Sequence, residues 1–537
     1  MCRYRLTHST AFRMNIGLMS RWNVWFCLVV VVAHCAVRSE HNSLRKLEVP
    51  AEHLPLWAAL NQSLLDECVR DKVCQANLKQ NKCWGYEEKY RCTSDNRYHS
   101  PACDGSDQGW TRGGGRAAQE REFYDTADFG YIAKRLQEMA IVCRGTRMGD
   151  SVLECVDHAR LCRAQNIFMD FSKLKELTGP IKYRDDVLGP GLIGGHCRLK
   201  VDLLRSLGQH KSPLQSWFAE IEHFTVLPQR LTVDECGEVI EEPTMLVKLD
   251  ATVNMYHHFC DFVNLYATLH FNQTAFQNIN VIVWDGYPYR SNFGAMWRII
   301  TDRPLRHIGE FKNKGKVCFS NLLLPFLPRM IFGLYYNMPL IPGCQGSGLM
   351  KAFREHTLHR LNIPVERPSG DLRVTFLSRS TNTRRVLNQD ELMEKLNKVE
   401  GVQATKIDFN FKMDFIAQIN ISANTDLLIG VHGAGLTHTL FLPEWAAVFE
   451  LYNCGDPNCY LDLARLAGKR YFTWEKRNTL EAVANPKGQH AAHEKFANYR
   501  FDVNEFIRIV RKAVAQVNEQ LKAHTYLGHK RPVHDEM

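Results

Sequence analysis

The chain has 537 residues, 45% hydrophobic and 23% charged, with a formal net charge of +9. That length and composition describe an ordinary globular protein of two or three domains. The basic excess is mild and no Lys/Arg block or aromatic-interleaved basic stripe stands out, which argues against nucleic acid as a partner.

At the N-terminus, Arg3, Arg5, Arg13 and Arg21 precede an apolar run from Trp22 to Ala36, closed by Arg38. The run is shorter than the ~20 residues of a spanning helix. Small residues near Ala33 to Ala36 suit cleavage, so residues 1–38 read as a signal peptide, with a type II signal anchor as the alternative. Of the 18 cysteines, Cys2, Cys27 and Cys35 lie in or before this leader, ten lie between Cys68 and Cys236, and five follow. No paired C-x-x-C or Cys/His ligand spacing appears, so disulfides in an oxidising compartment are the expected use. Cleavage after Cys35 leaves an odd count and at least one free or intermolecular thiol. The sequons at Asn61, Asn272 and Asn420 agree with a secretory route.

Residues 39–236 form a cysteine-rich region expected to be mainly helical and loop, with Ile132 to Val142 helix-like. From residue 237 the pattern becomes β-α-β. Met245 to Leu249 reads as a strand, Tyr256 to Leu269 as an amphipathic helix, Val281 to Trp284 as a buried strand and Leu349 to Leu361 as a helix. A Pro/Gly-containing break at residues 362–371 divides a first α/β domain, 237–365, from a second, 366–480. In the second, strands are expected at Leu372 to Leu377, Leu427 to Val431 and Ala447 to Leu451, with a helix at Gln389 to Val399. Residues 481–537 hold a long helix, Val503 to Ala523, entered at the N-cap Asp502. The chain ends His534-Asp535-Glu536-Met537, which differs from the HDEL retention signal only in its last residue.

Three segments carry chemistry. The most informative is LLIGVHGAGL, Leu427 to Leu436. A buried strand runs into His432, Gly433, Ala434 and Gly435 and then a helical pattern. Such a glycine loop lets backbone N–H groups approach a diphosphate, although a glycine turn that only packs strand against helix reads the same way. Arg379, Arg384 and Arg385 follow the strand LRVTFL, and guanidiniums at a strand's C-terminal end suit a phosphate. Glu450, at the end of AAVFE, is placed to accept hydrogen bonds from a ribose. In Asn254-Met-Tyr-His257-His258-Phe-Cys-Asp261, His257 and Asp261 are neighbours on one helical face, a carboxylate beside an imidazole. Either is a candidate catalytic base, and which of His257, His258 and Asp261 takes the proton stays open.

Taken together, N-x-x-H-x-x-x-D, T-F-L-S-R with a downstream R-R, and H-G-A-G-L with F-L-P and a strand-end Glu resemble the family 61 glycosyltransferases over residues 245–455. Tyr256 to Tyr266, Leu327 to Tyr335, the leader and the retention-like tail extend the likeness to most of the chain. Within the family it points to members that glycosylate folded EGF repeats. The resemblance implies a GT-B-like fold of two Rossmann-like domains beside the cysteine-rich region. It implies inverting transfer of N-acetylglucosamine from UDP-N-acetylglucosamine to Ser/Thr hydroxyls of EGF-like domains in the endoplasmic reticulum lumen. The implied partners are EGF-repeat proteins such as Notch-type receptors and extracellular matrix proteins, the UDP-sugar, and an ER retrieval receptor. Related vertebrate enzymes carry an acidic D-x-D-like triplet where this chain reads Thr301-Asp302-Arg303-Pro304, so Asp302 is its remnant. Pro304 cannot ligate a metal, so no obligatory metal is expected, with Mn²⁺ left open. The alternatives are a family 61 transferase for another protein or glycan acceptor, and a secreted non-catalytic cysteine-rich binding protein.

Overall fold

The computed structural model describes residue 44 and residues 47–528, apart from 81, 88–90, 107–110, 112–113, 175–186, 211, 273–278, 285–288, 337, 339–340 and 484–493. The expected leader (1–38) and the tail His534 to Met537 lie outside the described residues.

The described residues form a mixed α/β structure with several sheets. In the large eleven-stranded sheet, Thr244–Val247 (β4) runs parallel to Asn280–Val283 (β5) and to the end of Lys316–Leu324 (β6). The short β4 is buried along its whole length, as parallel strands covered on both faces should be. From β6 the sheet turns antiparallel, through Cys162–Asp170 (β3), Val152–Cys155 (β2) and Ala140–Arg144 (β1). In β3 exposed Arg163, Gln165 and Asn166 interrupt buried positions, as on a sheet with one wet face.

This topology changes two expectations. The stretch Ile132 to Val142 is not one helix: a helix covers Phe129–Gln137, and Ile141 and Val142 belong to β1, where β-branched side chains pack well. The 39–236 region is mostly helix and loop, as expected, and adds to them the strands β1, β2 and β3 of the large sheet. Its boundary at 236 does not separate two bodies, because β3 pairs with β6 from the other side of it. Disulfides Cys236–Cys318 and Cys103–Cys344 cross the same boundary. Four more join Cys68–Cys74, Cys83–Cys92, Cys143–Cys197 and Cys155–Cys162, making this stretch disulfide-dense. Three described thiols are free, Cys260, Cys454 and Cys459.

The second sheet has five parallel strands: Leu372–Leu377 (β7), Val402–Ile407 (β8), Leu427–Gly430 (β9), Ala447–Glu450 (β10) and Arg470–Thr473 (β11). Their spatial order is β8-β7-β9-β10-β11. The winding reverses between β7 and β9, the topological switch point where a crevice opens at strand C-termini. Both expected phosphate-binding segments emerge from these two strands.

Helix Met255–Asn272 (α1) starts after Asn254, whose side chain accepts from the Tyr256 N–H at 3.1 Å. Its buried Phe259 meets Phe441 across from the second sheet, ring centroids 5.5 Å apart, and Phe293 meets Phe415 at 4.9 Å. One apolar core thus joins the two halves. A second core lies under the other face of the parallel sheet, where the long C-terminal helix Val503–Gly528 (α2) buries Phe506, Ile509, Val510, Ala513 and Val517. Among the described residues no helix is long and apolar enough to cross a membrane.

Candidate functional site

A cavity of about 1170 Å³ opens between the halves. One wall is the start of α1 with Tyr336, and the other is formed by the loops after β7, β8, β9 and β10. Its volume lies just above the usual range for small-molecule sites.

Arg379, Arg384, His432, Gly433, Ala434 and Gly435 all line it. Gly433 has φ 154°, a conformation side-chain-bearing residues rarely adopt, and the Arg379 guanidinium lies over it, Nη1 2.2 Å from where a Cβ would stand. Arg379 is held by its Nε–H donating to Thr381 Oγ1 at 3.2 Å. Burial, then the neighbouring Arg384 guanidinium, lowers the Arg379 pKa. Two cations pressed together on one wall favour an anion between them. Arg384 keeps a left-handed backbone (φ 57°), strained for a non-glycine residue, and its Nε is buried with no hydrogen-bond partner in the protein.

The glycine loop leads not into an α-helix but into a 3₁₀ helix, Ala434–Phe441. The Leu436 N–H donates to the Gly433 carbonyl at 2.9 Å, and Leu436 to Phe441 are all buried.

Glu450 does not reach the cavity. It is fully buried, its Oε1 2.8 Å from His432 Nδ1, and Tyr471 Oη donates to its other oxygen. The expected ribose contact is therefore replaced by a positioning role: Glu450 fixes the His432 ring. Burial raises the Glu450 pKa, while the bonds from His432 and Tyr471 oppose that shift. Arg385 is also outside the cavity lining, its N–H donating to Asn498 Oδ1 at 2.9 Å and its side chain exposed.

On the opposite wall the expected His257–Asp261 pair is not formed. His257 lines the cavity, and its Nδ1 lies 3.0 Å from Asp250 Oδ2. Arg329 grips Asp250 in bidentate fashion, Nε to Oδ2 at 2.7 Å and Nη2 to Oδ1 at 3.0 Å. Asp261 turns inward instead. It accepts from the Asp250 N–H and sits 2.7 Å from His258 Nδ1, and His258 Nε2 sits 2.7 Å from Tyr289 Oη. Burial lowers the His258 pKa to about 3 and raises that of Asp261. The reason is helical geometry: residue 258 shares the buried face with 261, while 257 points out. Asp250 and Arg329 were missed by sequence reasoning. The available signal was the position of Asp250 just beyond a buried parallel strand.

The two walls meet through aromatic rings. Tyr460, on helix Cys459–Leu466, has its ring 5.1 Å from His432 and 5.7 Å from Tyr256. Asp302 lies elsewhere, exposed and paired with Arg360 Nη2 at 2.6 Å, outside the cavity lining. Asn61 is exposed at a helix N-cap and accepts from the Ser63 N–H at 2.9 Å. Asn420 is exposed on helix Phe415–Ala423, and Asn272 closes α1.

Residues 255–449, which hold both walls' motifs, match the model of the Glycosyltransferase 61 family. The chain is 45% identical over 499 residues to the EGF domain-specific O-linked N-acetylglucosamine transferase of Gallus gallus, covering 89% of this chain and 92% of that protein. It is 44% identical over 478 residues to the protein of that name from Drosophila melanogaster, covering 87% and 90%. The chain belongs to this family, the EGF domain-specific O-linked N-acetylglucosamine transferases of the glycosyltransferase 61 class. The iron-containing heptosyltransferase TibC superposes with a TM-score of only 0.23 at 12% identity, over 57% of this chain and 82% of that one, which carries no argument about fold.

Proposed function

We propose that this protein transfers N-acetylglucosamine from UDP-N-acetylglucosamine to Ser or Thr hydroxyls of folded EGF-like domains, with inversion at C1. The observation that carries the reading is the cavity at the β7/β9 switch point, lined mostly by the family's matched segment, with the guanidiniums of Arg379 and Arg384 gathered over the glycine loop. Arg379 and Arg384 neutralise the diphosphate, and the backbone of Gly433 to Gly435 cradles it. His432, held by Glu450, presents its Nε2 to the same space.

On the facing wall His257 is the base. His257 Nδ1 is flanked by Asp250 at 3.0 Å and Arg329 at 3.2 Å; with its proton on Nδ1 facing Asp250, the Nε2 lone pair is left for the acceptor hydroxyl. As the hydroxyl oxygen bonds to C1, the bond from C1 to the UDP oxygen breaks and the hydroxyl proton passes to Nε2. Arg329 orients Asp250 through its bidentate contact. Asp261 supports this assembly from below and does not touch substrate.

The two halves correspond to a GT-B-like arrangement, with donor bound by the second sheet. The cationic wall replaces a metal, so none is obligatory. The remnant Asp302 is committed to Arg360 outside the cavity. The leader-like N-terminal run and the HDEM sequence support a place in the endoplasmic reticulum lumen, where a retrieval receptor would hold it. The expected acceptors there are EGF-repeat proteins such as Notch-type receptors and matrix proteins.

The test is incubation with UDP-N-acetylglucosamine and a folded EGF-like domain, read by mass spectrometry, with and without chelator. One added N-acetylhexosamine per acceptor site is expected in both. Modification only of unfolded peptide, or of an O-mannose glycopeptide, overturns the acceptor assignment. Loss with chelator and recovery with Mn²⁺ overturns the metal-free mechanism.

A further inference from the structure

The cavity also brings together Asp456 and Cys459, which the transfer chemistry above does not use, with His432, which lines the donor wall. Asp456 and Cys459 sit on the segment after β10 and come together with His432 so that one ligand atom from each lies within 4.8 Å of the others. All three line the cavity. Cys459 is a free thiol in a chain that otherwise pairs twelve of its described cysteines. The second observation is the support behind His432. Its Nδ1 is engaged by the buried carboxylate of Glu450 at 2.8 Å, and Tyr471 holds that carboxylate in turn. A carboxylate behind a histidine, fixing its tautomer and leaving the other nitrogen as a donor, is the outer-shell arrangement of metal-ligating histidines.

We infer that His432 Nε2, Asp456 and Cys459 Sγ form a binding site for a thiophilic divalent cation, zinc above all, with the fourth position open to the cavity. The donor set decides the metal class. A thiolate and an imidazole with one carboxylate suit Zn²⁺ and disfavour Mg²⁺ or Ca²⁺, which take oxygen ligands. Three protein ligands and one open position is the pattern of accessible zinc sites, not closed structural ones. Ligand bonds of about 2.0–2.3 Å need the three atoms to draw together by roughly 1 Å. Asp456 and Cys459 are both partly exposed and on one short segment, so side-chain rotation supplies this. Two costs oppose binding. Asp456 leaves Lys495, now 2.8 Å away, and the ion must displace the thiol proton of Cys459, whose pKa burial pushes up to about 12. The site is independent of the D-x-D remnant, but it shares His432 with the donor wall.

The experiment uses the full chain with its disulfides intact, stripped with chelator, and no donor. Zn²⁺ alone is titrated by calorimetry and Co²⁺ alone by absorbance. A single saturable equivalent is expected, and the cobalt form should show a thiolate-to-metal charge-transfer band. Cys459→Ser should abolish that band. It should also weaken zinc by more than the roughly 10–100-fold that losing a supporting partner costs, and Glu450→Gln should fall within that range. Asp456→Asn, on the partly exposed turn, weakens zinc while keeping the band, which guards against a Cys459 variant that fails to fold. Cys454→Ala keeps both. Absence of a saturable equivalent, or a band that survives Cys459→Ser or disappears in Cys454→Ala, overturns the site.

Discussion

The two sheets are stabilised by different means. All six disulfides of the described residues lie at or before Cys344, and the mixed sheet is stitched both internally and to its surroundings. The parallel sheet has none, although Cys454 and Cys459 stand beside it as free thiols. It relies on two apolar layers, one shared with the first half and one under α2. Covalent reinforcement thus sits away from the loops that line the phosphate side of the cavity. Those loops keep strained or exposed residues such as Arg384 that a stitched scaffold would not accommodate as readily.

The sharpest way to break this comparison is on the mixed-sheet wall, where two His–Asp pairs lie side by side. Asp250→Asn should lower kcat by about 10²–10⁴-fold with donor KM little changed, since it removes the orientation of a base and not donor binding. Asp261→Asn should instead lower the melting temperature, because it disturbs a buried pair. If the two variants behave alike, the division between them is wrong. Next, Arg379→Ala on the parallel-sheet wall should cost about 10²–10³-fold in activity with the fold intact, measured as kcat/KM alongside the thermal melt. An equal loss of melting temperature and activity would make Arg379 structural. Smallest for catalysis is Cys103→Ser with Cys344→Ser. It should cost about 2–5 kcal/mol of stability, read by denaturant unfolding, and leave UDP affinity unchanged. A fall in UDP affinity would show that the stitched half reaches into the donor site.

The three central strands of the parallel sheet, β7, β9 and β10, were legible in the sequence, while its edge strands β8 and β11 were not. LRVTFL and LLIG are short buried apolar runs, and the residues that follow them directly in the chain, Arg379 and His432 to Gly435, end up in the cavity because a parallel strand delivers its next residues to one edge. What was not legible depends on pairs far apart in sequence. Asp250 meets Arg329 across 79 residues, and β3 finds β6 across the expected boundary at 236. Glu450 was misread for a related reason. Its place at a strand end was right, but which way its carboxylate faces is decided by Tyr471 on the next strand. His257 and His258 show the limit of helical spacing alone. Spacing placed both near Asp261, and only packing against Tyr289 and Asp250 chose between them.

The position of β6 also sets a timetable. It is the middle strand of the large sheet, bonded to β3 on one side and β4 on the other, yet it is among the last of that sheet to leave the ribosome. Cys103 must wait a further stretch of chain, 241 residues in all, for Cys344. By contrast Cys68–Cys74 and Cys155–Cys162 can close almost as soon as they are made. A nascent chain therefore carries early thiols past several wrong partners before the right one exists, and the correct pairing is available only once nearly two-thirds of the polypeptide has been synthesised.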